Sequence, residues 1–240
     1  MQTSTLGRAT PRPAPWGSRS WPWVAAILAI GVFGFWKPYF SRLGTADPLA
    51  HLHTGLMLAW FALLLVQPVL VRSRRLALHR RLGRVSWVLV PAIVVTMLAF
   101  ARQRLQAAPE EAFTFQAYVL YLGLTGAGMF ATAWALAMWH RREPSLHARY
   151  MAGTALVMLD PAIVRVMIFW LPPPGVQNLQ WITYGIVYAI LGTLMFLERR
   201  QPRGRRAFPV LLGMFVVVHV LSLTLARSGA WLAFARWYAG

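Results

Sequence analysis

Apolar residues fill the chain in seven long runs separated by short links dense in arginine. The runs cover 21–39, 49–71, 85–101, 113–139, 150–171, 181–197 and 207–226. An α-helix rises ~1.5 Å per residue, so ~20 residues cross the ~30 Å hydrocarbon core of a bilayer. Runs of this length that are apolar all round, rather than alternating, predict transmembrane helices. The run 113–139 is long enough to tilt or protrude. Residues 1–20, rich in Pro, Ser, Thr and Arg, have no apolar face and predict a disordered cytoplasmic tail. The residues after 24–35 are Trp36-Lys37-Pro38-Tyr39 rather than the small residues of a cleavage site, so the first run reads as a retained span. The predicted fold is all-α: one domain over 21–240, an integral membrane bundle of about seven helices.

Charge fixes an expected orientation. Seventeen of the 24 Lys and Arg fall in the tail and in alternate links, six fall in the others, and Arg165 lies inside a run. The positive-inside rule then puts the N-terminus in the cytoplasm and the C-terminus in the periplasm or outside, with Trp231, Trp237 and Tyr238 suited to the interface. The expected surroundings are a bilayer and, at the cytoplasmic face, anionic headgroups. A net charge of +18 invites a nucleic-acid reading. The arginines sit in short links between spans, however, not on one soluble face, which excludes that class. No protein partner is indicated. Cysteine is absent, so disulfides, thiolate metal sites and cysteine nucleophiles are excluded. There is no phosphate-binding glycine loop, H-E-x-x-H, G-x-S-x-G or clustered histidine box. Only six acidic residues occur, with Asp160 the one inside a span, which argues against paired-carboxylate chemistry.

Ionisable groups within spans are costly and usually face protein or water. Asp160, Arg165 and His219 qualify, and His53 lies near the outer end of the second run. At ~1.5 Å per residue, Asp160 is about 15 Å and His219 about 18 Å from the cytoplasmic ends of their spans, close to the midplane. A buried polar cluster of Asp160, Arg165, His219 and His53 is therefore predicted, with Asp160 bonded to His219. It would serve as a structural lock, or as a substrate or proton path. Pro161 beside Asp160 removes a helix hydrogen bond to Val157 and predicts a kink. His51 and His53 diverge by about 200° on a helix and do not share a ligand; His53 is the one expected to face the bundle. Small residues recur every fourth position at Gly123, Ala127 and Ala131, and at Gly185 and Ala189, the pattern of close helix packing in lipid.

An internal echo marks the cytoplasmic links: Leu78-His79-Arg80-Arg81 follows Arg74-Arg75, and Leu146-His147-Ala148-Arg149 follows Arg141-Arg142. Spans two and three would then relate to four and five by a parallel repeat. One reading makes His79 and His147 loop residues beside anionic headgroups. The other makes them axial ligands of one haem b between neighbouring helices, with His53 and His219 as an outer pair. Arg80, Arg81 and Arg149 would contact propionates in the second case and headgroups in the first.

Several motifs carry a resemblance: His51-Leu52-His53-Thr54-Gly55 with Trp60 and Gln67, Leu78-His79-Arg80-Arg81-Leu82-Gly83, and Asp160-Pro161-Ala162-Ile163-Val164-Arg165. In their order they resemble a family of uncharacterised bacterial multi-pass membrane proteins of about seven helices. The resemblance runs from about residue 31 to the end and implies an inner-membrane protein, with no activity to carry over. Relatives often have His-Pro where this chain has Phe208-Pro209. Three functions stay open: a non-catalytic or accessory membrane protein, preferred on the sequence; a haem- or metal-binding redox protein; and a small-molecule or proton-coupled transporter built on Asp160, Arg165 and His219.

Overall fold

A computed structural model describes residues 16–171, 176–201 and 204–240. The described residues form helices and turns, with no strand. In order the helices are α1 (Trp21–Trp36), α2 (Pro48–Arg72), α3 (Leu76–Gly83), α4 (Ser86–Gln106), α5 (Glu110–Trp139), α6 (Pro144–Trp170), α7 (Val176–Leu197), α8 (Ala207–Leu223) and α9 (Gly229–Ala239). Six stretches are long and apolar enough to cross a membrane, with α3 and α4 together making one of them, Leu76–Gln106. The apolar but shorter α1 accompanies them. The result is an all-α membrane bundle of roughly seven helices.

Local chemistry explains the ends. Asp47 caps α2, its side chain accepting from the Leu49 N–H at 2.7 Å, and Pro48 follows at the first helical position, where its missing N–H costs nothing. The α1 helix stops at Trp36, short of the predicted residue 39, because Pro38 cannot donate to a continuing helix. Conversely, α4 runs on to Gln106, since Arg102, Gln103 and Arg104 keep good helix propensity after the apolar run has ended. Two helices lie in stretches read as links. α3 is short and carries Arg80 and Arg81 in its last turn. α9 is capped by Ser228, whose side chain accepts from the Trp231 N–H.

The hub is α6, which packs on α1, α5, α7 and α8. Its tightest neighbour is α1, where Gly34 lies against the Ala162 carbonyl; a Cβ on Gly34 would stand 2.5 Å from that oxygen. Of the two small-residue stripes, Gly123 does face a neighbouring helix, through the Met97 side chain, whereas Gly185 faces open space. The main core joins Trp60, Phe130, Tyr150, Phe208, Leu211 and Phe215. A second core, with Phe113, Tyr121 and Trp231, holds α9 against α5, and the Trp231 indole donates to the Ala117 carbonyl at 2.8 Å. Of the predicted disordered tail 1–20, residues 1–15 lie outside the described residues. Residues 16–20 make a turn leading into α1, with Trp16 packed on Phe208.

Candidate functional site

His79 on α3 and His147 in the first turns of α6 meet at the end of the bundle that carries the arginine-rich links. Their ring centroids are 6.4 Å apart with the planes at 84°. α3 packs on α2 rather than on α6, yet the two rings come close to each other. The two imidazoles are differently held. His147 Nδ1 is 2.8 Å from the Ala137 carbonyl; a carbonyl only accepts, so Nδ1 carries the proton and Nε2 keeps a lone pair. His79 Nδ1 is buried with no hydrogen-bond partner. Gln67 holds the backbone beneath it, donating from Nε2 to the His79 carbonyl at 3.2 Å. The Gln67 Oε1, Trp60 Nε1 and Trp134 Nε1 atoms are likewise buried and unpartnered. Trp60 packs edge-on against Phe130 of α5, one turn from Trp134. These four orphaned polar atoms come from α2, α3 and α5. Arg80 and Arg81 are exposed, as propionate or headgroup contacts require.

Arg149 requires a correction. Expected at the surface among those contacts, it is fully buried. Its Nε donates to Glu198 Oε2 at 2.6 Å, and its Nη1 donates to the Ser145 carbonyl at 2.8 Å and to the Ser145 hydroxyl. Trp16 closes the arrangement: its indole N–H donates to the other Glu198 oxygen, and its ring lies 4.4 Å from the guanidinium. A buried cation at a helix start needs such a partner, and Glu198, 49 positions away, supplies it. Gly204, at φ +83°, passes beside Arg149 and Ser145, where a side chain would collide.

Of the polar residues at membrane depth, Arg165 lies within electrostatic reach of both Asp160 and His53, and His219 stands apart from them. Both Asp160 oxygens accept from Gln180 Nε2 at 3.1 Å, not from His219. Arg165 donates to the Pro161 carbonyl at 2.9 Å and lies 4.3 Å over the Phe35 ring. His53 Nδ1 is 3.0 Å from the Thr96 hydroxyl, which itself donates to Ala92. His51, exposed, meets the Tyr39 hydroxyl at 2.8 Å. His219 pairs with the Tyr188 hydroxyl at 2.5 Å and stacks flat on Tyr184. Tyr184 in turn donates to Ser222 at 3.4 Å. The expected outer pair thus separates, with His53 against α4 and His219 enclosed by α7. Gln180, Tyr184, Tyr188, Glu198 and Trp16 complete these arrangements. They gave no signal in the sequence beyond being polar or aromatic in an apolar run or at its end.

Comparison with protein-family models, with curated proteins and with solved structures finds no match for this chain.

Proposed function

We propose that the protein is a membrane redox carrier in which His79 and His147 are the two axial ligands of a single haem b. The observation that carries this is the close approach of the two imidazoles, 6.4 Å between ring centroids. His79 and His147 would each hold the group through one imidazole nitrogen. The donor chemistry fits. His147 has its outer nitrogen pinned by a carbonyl, the arrangement that orients a ligating imidazole and raises its basicity. His79 has a buried nitrogen in want of a partner. Iron held there would supply one-electron transfer. The chain's own part is to fix both rings, to present Arg80 and Arg81 to the acidic edge of the group, and to keep water from its apolar face. The separate surroundings of His53 and His219 support one such centre rather than two. Asp160, Arg165 and His219 each have local partners, which supports a structural role over a transport path.

The charge asymmetry of the links and the motif resemblance support a bacterial inner membrane, with the N-terminus and the histidine pair on the cytoplasmic side. Reporter fusions after Arg84 and Arg206 should then read cytoplasmic and one after Gly240 periplasmic. The decisive experiment is spectroscopic. Protein expressed with haem available should purify with a Soret band, lost in both His79→Ala and His147→Ala, and weakened but retained in Arg81→Ala. A colourless wild type under those conditions, or histidine variants with an unchanged spectrum, overturns the proposal.

A further inference from the structure

His147 owes its place to the first turns of α6, and those turns are pinned from their far side. Residues 147 and 149 diverge by about 200° on a helix. The His147 ring meets the Ala137 carbonyl of α5, while the Arg149 side chain leaves the other flank, towards the end of α7. There it is fully buried and tied in three directions: Nε donates to Glu198 at 2.6 Å, Nη1 to the Ser145 carbonyl at 2.8 Å and Nη2 to Gln201 at 3.4 Å. Trp16 donates to the second Glu198 oxygen and lies over the guanidinium. Between the two residues, Ala148 is met by the turn at 16–20, where a Cβ on Gly17 would stand 3.2 Å from that of Ala148. We infer that Arg149, Glu198 and Trp16 are positioning residues that hold the His147 imidazole in its direction towards His79.

The start of a helix can turn about its own axis unless something off that axis resists. Such a turn would carry the His147 ring sideways past His79, and in the same motion would swing Arg149 away from Glu198. Parting a buried cation from its counter-ion is the costly half of that motion, so the ion pair on one flank fixes the azimuth of the imidazole on the other. His79 sits on a short helix with no buried residue, so the approach of the two rings depends on the His147 side being fixed. The use of this placement rests on the haem reading; the placement itself is testable without haem.

The chain has no cysteine, so His79→Cys/His147→Cys gives the full chain in detergent a single pair for a short bis-methanethiosulfonate bridge, with both proposed ligands gone. Bridging should be efficient in that background and fall several-fold when Glu198→Ala is added. Arg149→Met/Glu198→Leu fills the same space without directed bonds. It should keep thermal stability near that of the background while bridging stays low, a split that a purely structural role does not produce. Should Glu198→Ala fail to accumulate, this variant carries the comparison. Glu198→Gln keeps an acceptor for Arg149 and should restore part of the yield, and Gly34→Ala, which disturbs α6 against α1 instead, should leave it unchanged. With the native histidines and haem bound, wild type should be low-spin, and Glu198→Ala should raise the high-spin share as one axial ligand loosens. Bridging that is indifferent to Glu198, or that merely follows the melting temperature across all the variants, overturns the inference. A colourless wild type with bridging that depends on Glu198 overturns the haem reading and leaves the placement standing; a red wild type with indifferent bridging does the reverse.

Discussion

Glu198→Ala isolates the buried ion pair. Arg149 has no solvent exposure and its Nε lies 2.6 Å from the Glu198 carboxylate, so truncation leaves a cation stranded in a low-dielectric site. Breaking a buried pair from one side costs ~3–5 kcal/mol. Neutral acceptors remain here, the Ser145 carbonyl at 2.8 Å and Gln201 Oε1 at 3.4 Å, and the Trp16 ring still covers the guanidinium. The lower end, about 3 kcal/mol, is therefore expected. For a chain of this size each kcal/mol moves the midpoint by ~2–4 °C, so thermal unfolding in detergent should fall by roughly 6–12 °C. The companion Arg149→Met/Glu198→Leu removes both charges and should recover most of that loss, because apolar replacements of buried pairs are often neutral. The reasoning fails if Glu198→Ala unfolds within ~0.5 kcal/mol of wild type, the range of an ordinary surface substitution. It fails equally if the double variant shows simple addition of the single losses, since residues in contact should couple.

Three further outcomes follow from contacts elsewhere in the bundle. Asp160→Ala strands the buried Gln180 amide and should cost on the order of 1–3 kcal/mol in the same melt; Asp160→Asn keeps an acceptor and should be milder, and equal stability of all three proteins would remove the contact from the account. Gly34→Ala drives a Cβ into the Ala162 carbonyl and should destabilise by about 1–3 kcal/mol, whereas Gly31→Ala, one turn away with nothing within 4 Å, should not; matching melts for the two would refute the close approach of α1 and α6. The Gln103 side-chain amide, then the Leu49 N–H, hold the Asp47 carboxyl below its ordinary range. The folded pKa is the lower one, so the stability gap between wild type and Asp47→Ala should be full above ~3.9 and shrink as pH falls through the depressed value. A gap constant down to strong acid, or absent at neutral pH, would contradict that cap.

The spans were legible because an apolar run of bilayer length has few other uses: 49–71 became Pro48–Arg72 and 113–139 became Glu110–Trp139. Hydropathy fails where helices leave the hydrocarbon. Leu76–Gly83 is too short and too charged to register, and Gly229–Ala239 is set by a serine cap and by Trp231 docking on α5. The meeting of His79 and His147 was foreshadowed by the repeated Leu-His at two links, since like links lie at one end of the bundle. The pairing of Asp160 was not, because depth along a helix gives a level but no azimuth. Gln180 falls just outside the run 181–197, so no depth was assigned to it, and the packing of α7 on α6 is what brings it to the carboxylate. Arg149 shows the same limit: among many arginines at one surface, nothing local marks the one that turns inward to Glu198.

Trp16 stands 182 positions before Glu198, to which it donates. At ~5–20 residues per second, ribosomal delivery of that stretch takes about 10–35 s. Through that interval the indole N–H lacks its acceptor, and the Arg149 guanidinium, made earlier than its counter-ion, lacks the Glu198 carboxylate. The start of α6 therefore cannot settle until α7 has been inserted, although α6 is the hub on which α1, α5, α7 and α8 pack. The turn at 16–20 gains its bond to Glu198 only after the end of α7 has been made.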